Sequence, residues 1–304
     1  MTRPEQKAAT KVTGTAHAKL NLFLHVVGRR ADGFHELESL FAFTQGGDLL
    51  SAELSQDISL DVDGPFASAL NASGSKTDNL VLKAAHCLQR RAAYRGGAHI
   101  RLTKKLPIAS GIGGGSADAA ATLLALNQLW GLDLPLGQLE QIGLSLGADV
   151  PACLHSAPLK VGGIGEKLEE VILPRGYGVL LVNPGQSVST PAVFQQFHKV
   201  PGEFSQPLLE WAPEGGANFI KWLTDQTVND LAEPASSLCA DIAEVLEALG
   251  ACEGALLVRM SGSGATCFSL FETGAEAGHA QKKLSAAHPG WWTFADQLIP
   301  AYLP

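Results

Sequence analysis

Residues Leu106–Gly131, which read LPIASGIGGGSADAAATLLALNQLWG, change in character halfway along. The first half holds four glycines, which allow backbone angles closed to other residues and a close approach to a ligand: Gly111, Gly113, Gly114 and Gly115. From Ser116 the stretch is rich in alanine and leucine, which favour a helix, and Gly131 is of the type that commonly follows a helix end. A glycine loop that leads into a helix presents backbone N–H groups and the positive end of the helix dipole to a ligand. The stretch therefore predicts a loop that binds phosphate.

Two known phosphate loops and a plain turn compete with this interpretation. A P-loop ends in Lys followed by Ser or Thr, whereas GGGSA places Ser116 and Ala117 there. GIGGGS resembles the glycine fingerprint of dinucleotide-binding proteins, but that fingerprint requires a next strand with an acidic end, and a helix is expected here instead. A turn without a ligand stays open, although four glycines in the five residues 111–115 exceed what a turn needs.

The composition predicts an ordinary globular protein of about two domains. The chain has 304 residues, of which 46% are hydrophobic and 17% charged, and this supplies enough apolar material for a sizeable core. The net charge of −8 disfavours a dedicated nucleic-acid binder, which needs a basic face. No apolar run approaches the length of a membrane span, and the N-terminal MTRPEQKAATK, which lacks an apolar segment, is expected to be a frayed tail.

The cysteine pattern predicts neither a metal site nor a disulfide framework. Five cysteines lie apart, without paired spacing: Cys87, Cys153, Cys239, Cys252 and Cys267. Reduced cysteines of this kind are typical of cytosolic proteins. We therefore expect a cytoplasmic protein that has no nucleic-acid or membrane partner.

Two polar side chains share one face of a predicted N-terminal strand. Side chains alternate along Thr15–Val27, so Lys19 and Asn21 project from the same surface, which is either exposed to water or lines a cleft. A glycine-marked loop follows, and Phe34 and His35 lie directly after it. An aromatic ring and a histidine in this position either pack locally or contact a ring of a ligand.

The rest of the chain predicts alternating strands and helices. Strands are expected at Leu37–Phe43, Asp48–Leu54, Ile58–Val62, Ala98–Thr103, Leu168–Leu173, Gly178–Val182, Ala255–Met260, Thr266–Phe271 and Trp291–Gln297. Helices are expected from the polar Thr77-Asp78-Asn79 to Tyr94, from Ser116 to Trp130, and at Leu136–Leu146, Ala235–Leu249 and Ala275–Ala287. Ser189-Thr190-Pro191 is expected to cap a further helix, and Pro201–Gly216 to form an irregular loop.

These elements predict an α+β protein with domains at 11–173 and 174–304. From residue 174 the chain reads strand, helices, strand, strand, helix, strand, which is close to a ferredoxin-like layout. In the first domain, Asp149 lies between Gly147 and Pro151 after a helix, where its backbone freedom is restricted. Its carboxylate is either a functional acid or a turn residue that bonds its own backbone.

Several motifs together resemble the GHMP kinase superfamily. The glycine loop and alanine-rich helix follow Pro107, and a second glycine loop spans Met260–Ala265, as in that family. Three further segments are similar to the branch of the superfamily that acts in isoprenoid precursor synthesis: AKLNLFLHVVGRRADGFHELES from Ala18, LGADVP from Leu146 and NPGQSVSTPAVF from Asn183. The resemblance runs from about residue 16 to the last predicted strand.

The resemblance implies a fold and a reaction. It implies an N-terminal domain of the ribosomal-protein-S5 type and a ferredoxin-like C-terminal domain. The reaction is transfer of the γ-phosphate of MgATP to the tertiary C2 hydroxyl of a 2-C-methylerythritol unit carried on cytidine diphosphate. Two alternatives stay open: a kinase of the same superfamily for another small alcohol, such as homoserine or mevalonate, and a relative that binds nucleotide without turnover.

The resemblance also implies roles for individual residues. Lys19 and Asp149 take the catalytic positions. The phosphates of ATP are expected at Pro107, Ile108, Ala109, Ser110, Gly111, Ile112, Gly113, Gly114, Gly115 and Ser116, with Asn79 and Lys104 near the base. The second substrate is expected at Asn21, Phe34, His35, Thr190 and Phe194, where the two phenylalanines hold the cytosine. Ser116 is expected to contact Mg²⁺, since Ala117 replaces a serine that is common in the family and offers no hydroxyl.

Overall fold

The computed structural model describes residues 10–72, 78–199, 204–208, 211 and 218–301. Its strands are β1 Lys11–Arg29, β2 His35–Ser55, β3 Ser59–Asp63, β4 Gly97–Thr103, β5 Leu159–Gly163, β6 Lys167–Glu170, β7 Gly178–Asn183, β8 Leu257–Met260, β9 Cys267–Phe271 and β10 Trp292–Gln297. Its helices are α1 Ala67–Ala72, α2 Leu80–Arg91, α3 Gly114–Leu129, α4 Leu136–Leu144, α5 Val150–His155, α6 Thr190–Phe197, α7 Phe219–Gln226, α8 Ala232–Leu238, α9 Asp241–Gly250 and α10 Gly274–Ala287.

The chain folds into two compact units that are not consecutive in sequence. The first unit comprises the described residues of 1–16, 47–106 and 115–154. The second comprises those of 17–46, 107–114 and 155–304. The proposed domain boundary at residue 173 stays a prediction.

The first unit is built around helix α3. Strand β4 pairs antiparallel with residues 49–55 of β2 and parallel with β3. Ten of the sixteen residues of α3 are buried, and a helix that is apolar around most of its circumference belongs in a core. The prediction of a helix after the glycine loop is confirmed, and Gly131 follows it with a φ of +61°, the left-handed conformation expected of a residue that ends a helix.

The second unit contains an antiparallel sheet with the strand order β10-β7-β9-β8. In chain order these strands are the fourth, first, third and second, with α9 before β8 and α10 before β10. Both helices pack on the sheet and cover a core that includes Leu180, Ile242, Phe271 and Leu284. The ferredoxin-like layout predicted from the sequence is confirmed. Elsewhere in this unit, residues 37–41 of β2 pair antiparallel with β5, which pairs with β6.

The structure corrects the prediction of two strands separated by Gly46-Gly47. Strand β2 runs through both glycines without a break. The N–H of Gly46 donates to Asp296 Oδ2 at 2.5 Å, and a Cβ atom at Gly46 would lie 3.0 Å from the Phe294 ring. Gly46 therefore allows a close approach of β10 to β2, which is the other common use of glycine within a strand.

The predicted elements need three further corrections. The helix expected over Ala235–Leu249 is two helices, α8 and α9, because Cys239 has an extended backbone with φ −143° and ψ 95° that cannot continue a helix. Helices α1, α5 and α7 were not predicted, and α5 begins directly after Asp149 with Pro151 in its first turn, a position that suits proline. The strand expected to reach Leu173 ends at Glu170. The predicted N-terminal tail, the start of the Thr77 segment and most of the Pro201–Gly216 loop lie outside the described residues.

Candidate active site

The glycine loop adopts the backbone angles that its composition predicts. Gly111 and Gly113 have φ values of +78° and +65°, and Ala109 is also left-handed at +49°. The Ser110 hydroxyl donates to the Pro107 carbonyl at 2.8 Å and closes the first turn of the loop. The loop leads into α3, whose first-turn amides and dipole form the type of site where phosphate binds.

The second glycine loop, Met260–Ala265, packs against the first within the second unit. The Ser261 hydroxyl donates to the Gly111 carbonyl at 2.9 Å, and the N–H of Thr266 donates to the Ser110 carbonyl at 3.1 Å. A Cβ atom at Gly111 would lie 2.4 Å from the Ser261 carbonyl oxygen, so only glycine allows this approach. The two loops that the sequence singled out therefore form one packed assembly.

Lys19 lies against the glycine loop. Its N–H donates to the Ile112 carbonyl at 2.9 Å, and a Cβ atom at Gly113 would lie 3.1 Å from Lys19 Cβ and 3.2 Å from Lys19 Cε. The side chain is only 5% exposed. Its Nζ donates to Asn21 Oδ1 at 3.1 Å and lies 4.3 Å from the centre of the Phe41 ring. The predicted adjacency of Lys19 and Asn21 on one strand face is thus observed, and that face is turned to the glycine loop.

Asn21 connects Lys19 to the second glycine loop. Its N–H donates to the Ser261 hydroxyl at 3.2 Å, and its side-chain Nδ2 donates to Ser39 Oγ at 2.9 Å. The Ser39 hydroxyl in turn donates to the Phe23 carbonyl. Because its side-chain amide both accepts from Lys19 and donates to Ser39, Asn21 fixes the direction of the lysine.

Asn229, which was not predicted as a site residue, bonds the second glycine loop. Its side-chain Nδ2 donates to the Met260 carbonyl at 2.8 Å and to the Gly262 carbonyl at 2.9 Å. These two hydrogen bonds therefore hold the second glycine loop in place. Thr190 meets the same loop, since its hydroxyl and that of Ser263 are 2.7 Å apart.

Asp149, Ser116 and Asn79 belong to the first unit, where each lies at a helix start. Asp149 precedes α5 and accepts from the N–H of Cys153 at 3.1 Å through its carbonyl. A Cβ atom at Gly147 would lie 3.9 Å from Ser116 Oγ, which places the turn before Asp149 beside the first turn of α3. The pairing of Asp149 with Lys19 stays a prediction.

The start of α2 also borders the first turn of α3. Asn79 is the N-cap residue of α2, and its Oδ1 accepts from the N–H of Val81 at 2.8 Å. The next residue, Leu80, has a Cδ1 atom 3.3 Å from the position of a Cβ at Gly115. Asn79 therefore lies next to the helix start that is expected to bind phosphate, and its role near the base stays a prediction.

Lys104 is engaged in a buried ion cluster that the sequence did not reveal. It is 2% exposed, and its Nζ donates to Asp48 Oδ2 at 2.5 Å and to Asp118 Oδ2 at 2.7 Å. Asp48 Oδ1 also accepts from the N–H groups of Lys105 and Leu106 at the entrance to the glycine loop. The Lys104–Asp48–Asp118 cluster therefore fixes the segment that precedes the loop. The predicted role of Lys104 near the nucleotide base is not tested by these contacts.

Burial and charge act on the pKa values in this cluster. Burial acts to lower the pKa of Lys104, but the negative charges of Asp118 and Asp48 outweigh it and raise that pKa. Burial raises the pKa of Asp118 to about 7, against the opposing charge of Lys104 and with a further increase from Asp48. Within the described chain, Asp118 Oδ1 is buried without a hydrogen-bond partner, which adds to the cost of ionising this carboxyl.

Two of the residues predicted to bind the second substrate, His35 and Phe194, are in contact. The His35 ring stacks on Phe194, with centroids 4.4 Å apart and an interplanar angle of 19°. Its Nε2 lies 2.8 Å from Nε2 of His198, a residue that the sequence did not single out. Phe34 is 58% exposed, and its N–H donates to Asp32 Oδ1 at 3.1 Å. The placement of a cytosine between Phe34 and Phe194 stays a prediction.

The oxygen donors of the site suit magnesium bound mainly through phosphates. Among the residues that the structure describes, no group of three or more His, Cys, Asp and Glu side chains could hold a metal ion. Magnesium commonly uses one or two protein oxygens together with substrate phosphates. The Ser116 hydroxyl at the start of α3 is one such oxygen, so the residues present fit an ion that arrives with the nucleotide.

The family models define the class of the protein. The model for the GHMP kinase N-terminal domain matches residues 79–157, and the model for the GHMP kinase C-terminal region matches residues 215–290. The glycine loop with α3 lies in the first match and the second glycine loop in the other. The protein is therefore a GHMP kinase, a phosphotransferase that acts on an alcohol group.

Individual relatives narrow the class to one family. A 4-diphosphocytidyl-2-C-methyl-D-erythritol kinase of Ruegeria pomeroyi is 50% identical over 91% of this chain and 95% of its own length. The kinase of the same name from Parvibaculum lavamentivorans is 47% identical over 92% of this chain and 96% of its own length. The chain belongs to the family of 4-diphosphocytidyl-2-C-methyl-D-erythritol kinases.

Solved structures agree with this assignment and confirm the predicted fold. A crystal structure of 4-(cytidine 5'-diphospho)-2C-methyl-D-erythritol kinase matches with a TM-score of 0.76 and 31% identity, covering 94% of this chain and 99% of that one. Homoserine kinase from Cytophaga hutchinsonii matches with a TM-score of 0.73 at 16% identity, covering 99% and 98%, and shares the fold alone. Over the described residues, none of the helices has the length and apolar character needed to cross a membrane.

Proposed function

We propose that the protein transfers the γ-phosphoryl group of ATP to the C2 hydroxyl of 4-diphosphocytidyl-2-C-methyl-D-erythritol. The products are the 2-phosphate and ADP, in the non-mevalonate synthesis of isoprenoid precursors. The observation that carries the proposal is the packing of Lys19 against Gly113, in the loop that leads into α3. The relatives that carry this name over nearly the whole chain support the choice of substrate.

The phosphates of ATP bind residues 107–116 in this proposal. The N–H groups at the start of α3 donate to the phosphate oxygens, and their fixed positions align the phosphoryl group with the acceptor. Magnesium, which Ser116 would contact, supplies a positive charge that neutralises the phosphate oxygens. Transfer of a phosphoryl group depends mainly on this alignment and neutralisation, so little covalent chemistry is required of the protein.

Lys19 and Asp149 act on the acceptor hydroxyl. A tertiary alcohol is not ionised at neutral pH, so its proton must leave during the transfer, and the Asp149 carboxylate accepts it. The ammonium group of Lys19 stabilises the negative charge that develops on the oxygen. Asn21 directs that ammonium group, because its Oδ1 accepts a hydrogen bond from Nζ.

The cytidine end of the substrate binds the residues around His35. Phe34 and Phe194 contact the faces of the cytosine, and His35 bonds its polar edge. The stack of His35 on Phe194 supports this role because it already brings an aromatic face and a polar ring together. Thr190 contacts the substrate beside the second glycine loop, with which its hydroxyl is bonded.

In this proposal the reaction takes place in the cytoplasm. Its reactants are small molecules, and neither a nucleic acid nor a membrane is a partner. The net charge of −8 disfavours nucleic acid, and the five cysteines are free thiols in the structure, as in a reducing compartment.

A substrate panel tests the proposal. The purified protein is offered ATP and Mg²⁺ with 4-diphosphocytidyl-2-C-methyl-D-erythritol, homoserine, mevalonate or galactose, and ADP release is followed by a coupled assay. We expect turnover with the cytidine substrate and at least about 100-fold lower kcat/KM with the others, since buried polar groups reject ligands that leave them unpaired. The proposal would be contradicted if another alcohol were the preferred substrate, or if the protein turned over none of these compounds.

Replacement of the proposed base tests the mechanism. Asp149→Asn should lower kcat by about 10²- to 10⁴-fold while the KM for ATP stays within about twofold, because the amide cannot accept the proton. Asp133→Asn, at an exposed position of the same unit, is the matched control. Near wild-type turnover of Asp149→Asn would exclude the base role.

A further inference from the structure

The glycine loop is bonded to β1 at two neighbouring points, and the two points differ. At the first, the N–H of Lys19 donates directly to the Ile112 carbonyl at 2.9 Å. At the second, the N–H of Asn21 donates to the Ser261 hydroxyl at 3.2 Å, and that hydroxyl donates to the Gly111 carbonyl at 2.9 Å. In a strand, residues 19 and 21 present their N–H groups on the same side. A side-chain hydroxyl therefore lies between β1 and the loop where a second direct backbone bond could form.

The direction of both hydrogen bonds to Ser261 follows from the groups involved. A backbone N–H can only donate and a carbonyl can only accept, whereas a hydroxyl does both. Ser261 is fully buried, so water does not compete for either bond. Its hydrogen is therefore directed at the Gly111 carbonyl, and its oxygen accepts from Asn21.

The backbone around Ser261 is fixed by its own loop. The N–H of Ser261 donates to the Thr266 carbonyl at 2.9 Å. The side-chain amide of Asn229 donates to the carbonyls on either side of Ser261, those of Met260 and Gly262. Because the backbone is held on both sides, the hydroxyl has a defined position from which to hold the glycine loop.

Close packing connects the position of Gly111 to that of Lys19. A Cβ atom at Gly262 would lie 3.0 Å from the Gly111 carbonyl oxygen, so the two loops are in contact at this point. Two residues further along the loop, a Cβ atom at Gly113 would lie 3.1 Å from Lys19 Cβ. A displacement of the loop at Gly111 therefore changes how Gly113 meets the lysine.

We propose that Ser261 is a positioning residue whose hydroxyl sets the distance between the glycine loop and β1, and with it the alignment of the γ-phosphate with the ammonium group of Lys19. The inference rests on the proposed function in one respect, that the loop holds the phosphates of ATP. Ser261 acts through the loop and not by contact with the substrate. A misplacement of about 1 Å can cost about 100-fold in rate, so one hydroxyl between strand and loop is enough to affect turnover.

Amide hydrogen exchange tests the spacing without any substrate. NMR follows the N–H of Lys19, which bonds Ile112 and not Ser261. Ser261→Ala should raise the exchange rate at Lys19 about fivefold, the effect of about one hydrogen bond, because the loop loses its other bond to β1. Ser269→Ala is the matched control, since it removes an equally buried hydroxyl whose contact with the Leu270 carbonyl is long, at 3.4 Å. An unchanged exchange rate at Lys19 in Ser261→Ala would overturn the inference.

Kinetics test the consequence for phosphoryl transfer. Ser261→Ala should lower kcat by about 10- to 100-fold through misalignment. The KM for the cytidine substrate should stay within about twofold, because the cytidine end is expected to bind around His35. Ser261→Thr keeps the hydroxyl and should recover kcat to within about threefold of the wild type. Ser269→Ala should turn over as the wild type does.

A second substitution covers the case in which Ser261→Ala does not fold. Ser261→Cys has nearly the same shape, but its thiol is a weak donor and a weak acceptor, so kcat should fall at least about fivefold. A wild-type kcat in the folded alanine or cysteine variant would overturn the inference. A Ser261→Thr variant as slow as Ser261→Ala would also overturn it, since the loss would then come from packing and not from the hydroxyl.

The outcomes separate this inference from the proposed function. If the wild-type protein does not phosphorylate the cytidine substrate, the proposed function fails, whereas the exchange rate at Lys19 still reports whether Ser261 sets the spacing. If the wild type turns over and Ser261→Ala changes neither exchange nor kcat, the proposed function stands and the role of Ser261 is refuted. Faster exchange with an unchanged kcat would refute it as well, because the spacing would then not determine the alignment.

Discussion

Lys19 packs on the glycine loop and Lys104 precedes it in the sequence; both lysines are buried, but their surroundings differ. Lys104 lies between two carboxylates, Asp48 and Asp118, and is 2% exposed. Lys19, which is 5% exposed, donates to the neutral amide of Asn21 and lies over the Phe41 ring. A buried lysine held by two carboxylates is in the setting of a structural ion cluster, whereas one held by an amide against a glycine loop can direct its charge to a bound anion. Burial alone therefore does not tell the function of a lysine.

The largest expected effect concerns the ion cluster. Lys104→Met should lower the free energy of unfolding by about 3–5 kcal/mol, because it leaves two carboxylates buried without their cation. Urea denaturation at pH 7.5 measures this value. The exposed neighbour Lys105→Met is the matched control, for which a change below about 0.5 kcal/mol is expected. A loss as small as that of the control would show that Lys104 is not structural.

Lys19 should show the opposite pattern. Lys19→Met should reduce kcat by about 10²- to 10³-fold, since it removes a charge that stabilises the transferring group. The free energy of unfolding should fall by about 1–2 kcal/mol, because Asn21 loses a buried hydrogen-bond donor. Lys11→Met, at an exposed position of the same strand, serves as the control. If Lys19→Met retains its kcat while its free energy of unfolding falls as far as that of Lys104→Met, both lysines have the same kind of role and the comparison fails.

A further expected effect, spread over several pH units, is a pH dependence that comes from Asp118. Burial raises its pKa to about 7 in the folded protein, above the ordinary 3.8. Between these values the folded state keeps a proton that the unfolded state has released, so stability falls as the pH rises towards 7 and is constant above it. The contribution is at most about 1.4 kcal/mol per pH unit.

Urea denaturation between pH 5 and 8 measures this dependence. Asp118→Asn should flatten the fall in the free energy of unfolding below pH 7, whereas the exposed Asp133→Asn should leave it as in the wild type. A wild-type stability that instead rises from pH 5 to 7, with no difference in Asp118→Asn, would show that Asp118 is ionised throughout.

Local patterns in the sequence predicted the parts of the fold that depend on neighbouring residues. The glycine loop, α3 and the ferredoxin-like order follow from glycine content, helical composition and the sequence of elements. The continuity of β2 could not be predicted in this way, because Gly46 lies against β10 and its N–H bonds Asp296, 250 residues later. Glycine pairs look alike in sequence whether they form a turn or allow a second strand to approach.

The same distinction applies to the site. Motifs located Lys19, Asn21 and both glycine loops, since each lies in a short recognisable stretch. Asp48 is 56 residues from Lys104, and Asn229 is 31 residues from the loop carbonyl that it bonds, so no local pattern connects them. Partners of this kind are determined by tertiary packing and become visible only in the folded structure.

The most direct test of the central claim is identification of the product by ³¹P NMR. The wild-type protein is incubated with ATP, Mg²⁺ and 4-diphosphocytidyl-2-C-methyl-D-erythritol, and the new phosphate signal is assigned by its coupling to carbon. The account predicts one phosphomonoester at C2, formed in equal amount to ADP. Release of ADP with only inorganic phosphate, or a phosphate on another hydroxyl, would contradict it.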